Sequence, residues 1–349
     1  ASSRHRKFLA AWLLKSGLEA SMPNRRLNLT GLDIIRGFFR LIVISFVFLP
    51  FLSDIWADRF LAKDAGEPGF RNKIFRFFAR RIVKKRVLHG IDLIKKRAVR
   101  LREILIKLGP AFIKIGQAMA TRPDLVPVPY LKELEKLQDD VPPFSNRRAR
   151  KIIEKDLKTK IKVIFPEMEE SPVAAASLGQ VYRARLREGT WVAVKVQRPG
   201  IARLLRKDFA ALRILAGFAE KRKAIGLGIN WTDAVNDFYV MISQEMNYRQ
   251  EVENARTFRK NFASWKDIHV PRIYSEYSGN RTITMEFIDG IKLNDREGLT
   301  AQGVEPMEAI EIVTRSYLKQ LIEDGFFHAD PHPGNLRLMY DGRLAFFDF

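Results

Sequence analysis

From residue 91 to 108 the apolar side chains fall at Ile91, Ile94, Ala98, Leu101, Leu105 and Leu108. These steps of three and four mark one face of a helix. Gly109-Pro110 ends it and opens a second helix, Ala111–Thr121, with Pro where a missing N–H costs nothing. Arg122-Pro123-Asp124 predicts a loop, and Leu131, Leu134 and Leu137 stripe a further helix that Val141-Pro142-Pro143 closes. Ser145 is placed to cap the next, reaching about Leu157. After Pro166 the period falls to two. Val181–Leu186 and Trp191–Val196 alternate around Glu188-Gly189, which predicts a β-hairpin. A helix near 201–223 follows, then one from Thr232 to about Phe262. Strands Arg272–Tyr274 and Arg281–Ile288 flank Ser278-Gly279-Asn280. A helix over roughly 305–324 leads to a last hairpin, Leu336–Met339 with Leu344–Phe347, turning at Asp341-Gly342. The class is α+β. The divisions are a basic amphipathic helical extension at 1–90, broken at Gly66-Glu67-Pro68-Gly69, and a second helical extension at 91–165. A β-rich lobe at 166–290 and the start of a helical lobe at 291–349 complete them.

A length of 349 residues suits about two domains. The absence of Cys excludes disulfides, thiolate catalysis and Cys-based zinc sites. Net charge is +21, but residues 1–110 hold 24 Lys+Arg against 8 Asp+Glu, so most of the excess is N-terminal. Such a region seeks a polyanion. Leu41–Leu52 is uncharged, with Trp56 and Phe60 beyond it and Arg40, Arg36 and Asp33 before it. Its twelve residues fall short of the ~20 that span a bilayer. The expectation is a helix lying in the interface of an anionic membrane surface. No nucleic-acid motif accompanies the basic region, and nucleic acid is not an expected partner.

The chemistry-bearing residues gather late. His328-Ala329-Asp330-Pro331-His332-Pro333-Gly334-Asn335 precedes Phe347-Asp348-Phe349 by one hairpin. Asp, four residues, Asn, a hairpin and Asp-Phe is the layout of a kinase catalytic loop. Asp330 is the candidate base; Asn335 and Asp348 are candidate Mg²⁺ ligands; His328 is expected to brace the loop. The chain stops inside this motif, and the natural protein is expected to be longer. In Val192-Ala193-Val194-Lys195, alternation puts Ala193 and Lys195 on one face of the strand, where Lys195 can reach phosphate. The preceding Pro172–Val181 stretch stands where a kinase carries Gly-x-Gly-x-x-Gly, with Ala174, Ala175, Ala176 and Ser177 before Val181. Methyl groups there limit backbone approach and disfavour positive φ. Glu245 is the expected ion-pair partner of Lys195, with Glu251 second in line. Met285, Glu286 and Ile288 end a strand where a hinge would meet adenine. The layout predicts a two-lobed protein-kinase-like fold binding ATP with Mg²⁺.

These segments resemble the UbiB-like atypical kinases, also called aarF-domain kinases, from about residue 91 onward. The resemblance rests on Lys114-Ile115-Gly116-Gln117, Ala174–Gln180, Val194-Lys195-Val196, Glu245-Met246-Asn247 and the His328–Asn335 loop. Gln117–Pro127 is most similar to the cyanobacterial and plastid branch. The resemblance implies that Lys114 and Gln117 form a lid restricting protein substrates. Position 247 carries Asn where the family's motif has Asp, which removes a charge from any metal or Lys114 contact there. The resemblance also implies weak ATPase activity and a role beside membrane or lipid-biosynthesis proteins in prenylquinone or isoprenoid lipid metabolism. The implied location is the chloroplast, at thylakoid or plastoglobule, or a cyanobacterial membrane.

Overall fold

The computed structural model describes residues 27–63, 90–138, 141–221, 230–303, 305–329 and 332–349. The expected break at Gly66–Gly69 and the candidate base Asp330 lie outside the described residues. In chain order the helices are α1 (Gly31–Lys63), α2 (Gly90–Leu108), α3 (Pro110–Ala120), α4 (Val128–Glu135), α5 (Asn146–Leu157) and α6 (Ile161–Ile164). They continue as α7 (Ile201–Glu220), α8 (Trp231–Glu245), α9 (Tyr248–Asn261), α10 (Arg296–Ala301) and α11 (Pro306–Lys319). The strands are β1 (Glu167–Met168), β2 (Ala174–Ala175), β3 (Gly179–Arg185), β4 (Trp191–Gln197) and β5 (Ile268–His269). After them come β6 (Thr282–Glu286), β7 (Ile291–Lys292), β8 (Leu336–Leu338) and β9 (Leu344–Phe346). The chain divides into two compact units, residues 1–133 with 202–244 and residues 134–201 with 245–349. The segment 202–244 thus groups with the N-terminal helices and does not follow the linear order of 166–290.

In the first unit α1 runs 33 residues, far past the uncharged run. Asp33, Arg40, Asp54 and Asp58 each find a partner, so these charges do not stop it. Asp33 accepts from the Thr30 hydroxyl at 2.8 Å at the helix start. Arg40 donates to buried Asp208 of α7 at 2.6 Å and to the Leu108 carbonyl that ends α2. Arg97 of α2 holds Asp54 and Asp58 near the other end. Gly37 lets α1 approach α7 closely, since a Cβ there would stand 2.7 Å from that of Ala210. The opposite face leaves Phe39, Phe46 and Leu49 at 65%, 73% and 62% exposed.

The second unit holds two sheets. β1, β3, β4 and β6 form an antiparallel sheet in that order, with β2 also paired to β3. β5, β9, β8 and β7 form the other, in which only β5–β9 is parallel. Alternation along β4 sorts its faces as the sequence predicts. Val192, Val194 and Val196 pack with Ala149 and Ile153 of α5, and Ala193 lies beside Tyr248 and Met285. α9 serves both sheets through one stripe. Tyr248, Glu251, Val252, Ala255 and Phe258 are its buried residues, at steps of three and four. Tyr248 and Val252 meet Ile283 of β6, while Phe258 meets Leu336, Leu344 and Phe346. The expected Arg272–Tyr274 strand is reduced to one bridge, Ile273 with Met285. The expected helix 232–262 is two helices. Asn247 leaves the helical region at φ −89°, ψ 81°, and its side chain accepts from the Gln250 amide at 3.4 Å to cap α9.

Candidate active site

Lys195 is on β4 between Val181 of β3 and Ile283 of β6, which pair with it in register. Ala174 pairs with Val181 in turn, so three sequence-predicted residues form one row across the sheet. The Lys195 ammonium donates to Glu251 Oε1 at 2.7 Å and to Asp348 Oδ1. It lies 5.4 Å above the centre of the Tyr248 ring. Burial acts against its charge, but Asp348 and Glu251 outweigh burial and hold its acidity well below that of an ordinary ammonium. Burial pushes the Glu251 carboxyl up to about 7 against the pull of Lys195, with Asp348 adding to the rise.

The ion-pair partner is therefore Glu251, the second choice from sequence, and not Glu245. The break at Met246–Asn247 explains the difference. Glu245 is the last residue of α8, and Glu251 sits in the first turn of α9, on the stripe that faces β4. The signal was present as Asn247 three positions before Gln250, a side-chain cap that restarts the helix count.

Asn335 and Asp348 lie just beyond one end of the β8–β9 ladder. Leu336 pairs with Phe346, and the Phe347 amide donates to the Asn335 carbonyl at 2.9 Å. His328 braces this corner as expected. Its Nε2 lies 2.6 Å from the Phe347 carbonyl, and its backbone amide donates to buried Gln320 at 2.8 Å. Asp348 holds φ at 58°, a left-handed backbone that a non-glycine residue adopts at a cost and that clusters at functional sites. Its carboxylate is 53% exposed while bonded to Lys195. A carboxylate and an amide oxygen are hard ligands of the kind Mg²⁺ takes. The donor chemistry fits the ion: Asn335 and Asp348 would supply its protein oxygens, with the Lys195 ammonium bonded to Asp348.

The loop before Val181 departs from an open phosphate cradle. Ala174 and Ala175 are strand β2, paired with Val181 and Gln180, and the Ala176 amide donates to the Gly179 carbonyl at 2.8 Å. Ser177 and Leu178 form the turn, and Ser177 is 2% exposed. The turn is held by Arg198, unflagged by sequence, which donates to the carbonyls of Ser177, Ala176 and Pro142 at 3.1, 3.2 and 3.0 Å. Gln180 is a second unflagged anchor, exchanging hydrogen bonds with both backbone groups of Phe144. Gly179 is required from below the turn. A Cβ there would stand 2.6 Å from the Tyr248 hydroxyl and 2.7 Å from the Val196 carbonyl.

At the hinge, Met285 pairs with Ala193, and the amides of Glu286 and Phe287 are taken by the carbonyls of Arg272 (2.8 Å) and Trp191 (3.2 Å). The Glu286 carboxylate faces His269 at 3.1 Å. Ile288 follows, buried at 5%. Gly290 runs tight against β8, where a Cβ would meet the Leu338 carbonyl at 2.5 Å. Lys114 and Gln117 belong to the first unit, three positions apart on α3 with buried Gly116 between them.

Comparison with known proteins agrees with this geometry. The ABC1 atypical kinase-like domain matches residues 136–349. ACTIVITY OF BC1 COMPLEX KINASE 3, a chloroplastic protein of Arabidopsis thaliana, is 44% identical over 256 residues, covering 73% of this chain and 36% of the relative. An uncharacterized protein of Synechocystis, sll0005, is 40% identical over 310 residues, covering 89% of this chain and 42% of the relative. The chain thus spans less than half the length of either relative. A solved structure of the Rv3197–erythromycin complex from Mycobacterium tuberculosis is similar with a TM-score of 0.52 at 28% identity, over 74% of this chain and 65% of that one. With a kinase-like site of lysine, glutamate, asparagine and aspartate in a matched domain covering most of its length, this chain belongs to the ABC1 atypical kinase-like family.

Proposed function

We propose that the second unit binds Mg-ATP between its two sheets and hydrolyses or transfers the terminal phosphate. One observation carries the reading. Lys195 of β4 is bonded at once to Glu251 of α9 and to Asp348 beyond β9. Three elements distant in sequence thus converge on a single ammonium, at the register position of Val181 and Ala174. In this reading Glu251 orients Lys195, which neutralises phosphate charge. Asn335 and Asp348 hold the magnesium, which supplies further positive charge to the phosphate oxygens. Ala174, Ala175 and Val181 border the phosphates, Met285 and Ile288 border adenine, and Asp330 orients the attacking oxygen. The test is ATP turnover by the purified chain. Lys195→Ala and Asp348→Asn are expected to abolish it, and turnover untouched by either contradicts the assignment.

A second reading is a nucleotide-gated scaffold without turnover. It is favoured by the paired β2 strand and by Arg198 clamping the turn. Stoichiometric ATP binding with no phosphate release would select it.

The exposed face of α1 supports a membrane role. Gly31–Asp58 is long and apolar enough to cross a bilayer, with mean hydropathy 2.0. Its Arg40 and Gly37 contacts to α7 and its Asp54 and Asp58 contacts to α2 favour a helix lying along its unit with one face toward lipid. The chloroplastic and cyanobacterial relatives support a photosynthetic membrane as that surface, with a lipid or prenylquinone pathway as its setting.

A further inference from the structure

We infer that the Tyr248 hydroxyl is a positioning group for the phosphate loop at Gly179, an inference that rests on the nucleotide reading above. Tyr248 opens α9 and is 1% exposed. Its ring lies under the Lys195 ammonium, and its hydroxyl abuts Gly179, whose missing Cβ makes the room. That hydroxyl is buried and has no hydrogen-bond partner among the described residues. Burial keeps the phenol protonated, so it remains a neutral donor.

Packing alone does not account for the oxygen. The ring's neighbours include Val252, Ile283 and Met285, and a Phe would fill the same volume without stranding a polar atom. A buried polar atom without a partner calls for a reason at the site it faces. What this hydroxyl abuts is Gly179 at the foot of the turn, and the Val196 carbonyl of β4 crowds the same Cβ position. This is the backbone that must settle around phosphate oxygens. A donor still unspent gains its acceptor as the turn settles, which fixes the height of the phosphate-bound loop above Lys195. Glu251 follows Tyr248 by one helical turn, so ring, hydroxyl and carboxylate reach the lysine and the loop from one rigid helix. A shift of α9 therefore moves all three together. The hydroxyl acts through the loop and is not a catalytic group.

The experiment measures binding of Mg-ATP, Mg-ADP and adenosine, and the unliganded Tm, for wild type, Tyr248→Phe and Tyr248→Leu. Tyr248→Phe is expected to keep or raise the unliganded Tm. It is expected to weaken ATP and ADP about tenfold, one hydrogen bond's worth, and to leave adenosine unchanged. Tyr248→Leu, which also removes the ring from under Lys195, is expected to weaken ATP further. ATP affinity of Tyr248→Phe within twofold of wild type overturns the inference, as does an equal loss for adenosine. Wild type that binds no ATP at all refutes the nucleotide reading itself, and this inference falls with it.

Discussion

Glu251 gives the lysine cluster a pH signature. Its carboxyl is pushed up to about 7 by burial, from an ordinary value near 4.5. The folded chain therefore keeps a proton that the unfolded chain has already released across that window. The unfolded state binds fewer protons there, so stability from this group is full at the acid side and is lost as pH rises from about 4.5 through about 7. The slope is at most about 1.4 kcal/mol per pH unit for one proton. Urea denaturation between pH 5 and 8 is expected to show a shallower fall for Glu251→Gln than for wild type. At Gly179 the expected result is a packing defect: Gly179→Ala should cost about 1–3 kcal/mol, because the new methyl meets the Tyr248 hydroxyl and the Val196 carbonyl. Residue identities at the site were legible in part. The facing of Lys195 followed from strand alternation, which has one answer. The choice between Glu245 and Glu251 did not, because a two-residue break at Asn247 resets the helical face between them. Arg198 and Tyr248 gave no signal, since their roles depend on a turn that closes only in three dimensions.

The helices tell a similar story one level up. α2, α3, α5 and the final hairpin were readable from spacing and from Gly and Pro punctuation, and their observed bounds follow the expected ones closely. α1 was not. Its charges look like boundaries in sequence, yet Arg40 is satisfied by Asp208 and by the carbonyl end of α2, which allows the helix to run on. Burial pushes the Asp208 carboxyl up to about 6 despite this pairing, so the pair is a desolvated one. Breaking such a pair from one side strands a buried charge. Asp208→Ala is therefore expected to destabilise the chain by about 3–5 kcal/mol, read as a fall in Tm, far more than loss of the exposed Arg256–Glu253 pair would cost.

Charge and apolar surface together define the molecule's outward behaviour. Most of the +21 net charge lies in residues 1–110, and the same stretch contains the apolar face of α1. Attraction of basic residues to anionic headgroups and burial of Phe39, Phe46 and Leu49 should add. Co-sedimentation with vesicles containing phosphatidylglycerol is expected for the wild type and is expected to fall at least tenfold for the triple change to Ser. Equal binding of both proteins contradicts the membrane role of α1. The division into units was not legible in linear order, because residues 202–244 pack by side-chain complementarity with helices that precede them by over a hundred positions. The kinase-like unit was legible because its chemistry demands fixed spacings. If Lys195, Asn335 and Asp348 hold magnesium-bound nucleotide, calorimetric titration of ATP with and without magnesium will show it. One-to-one binding that tightens with magnesium is expected in wild type, with that tightening lost in Asp348→Asn. ATP affinity indifferent to magnesium in wild type, or an unaltered magnesium response in Asp348→Asn, would contradict it.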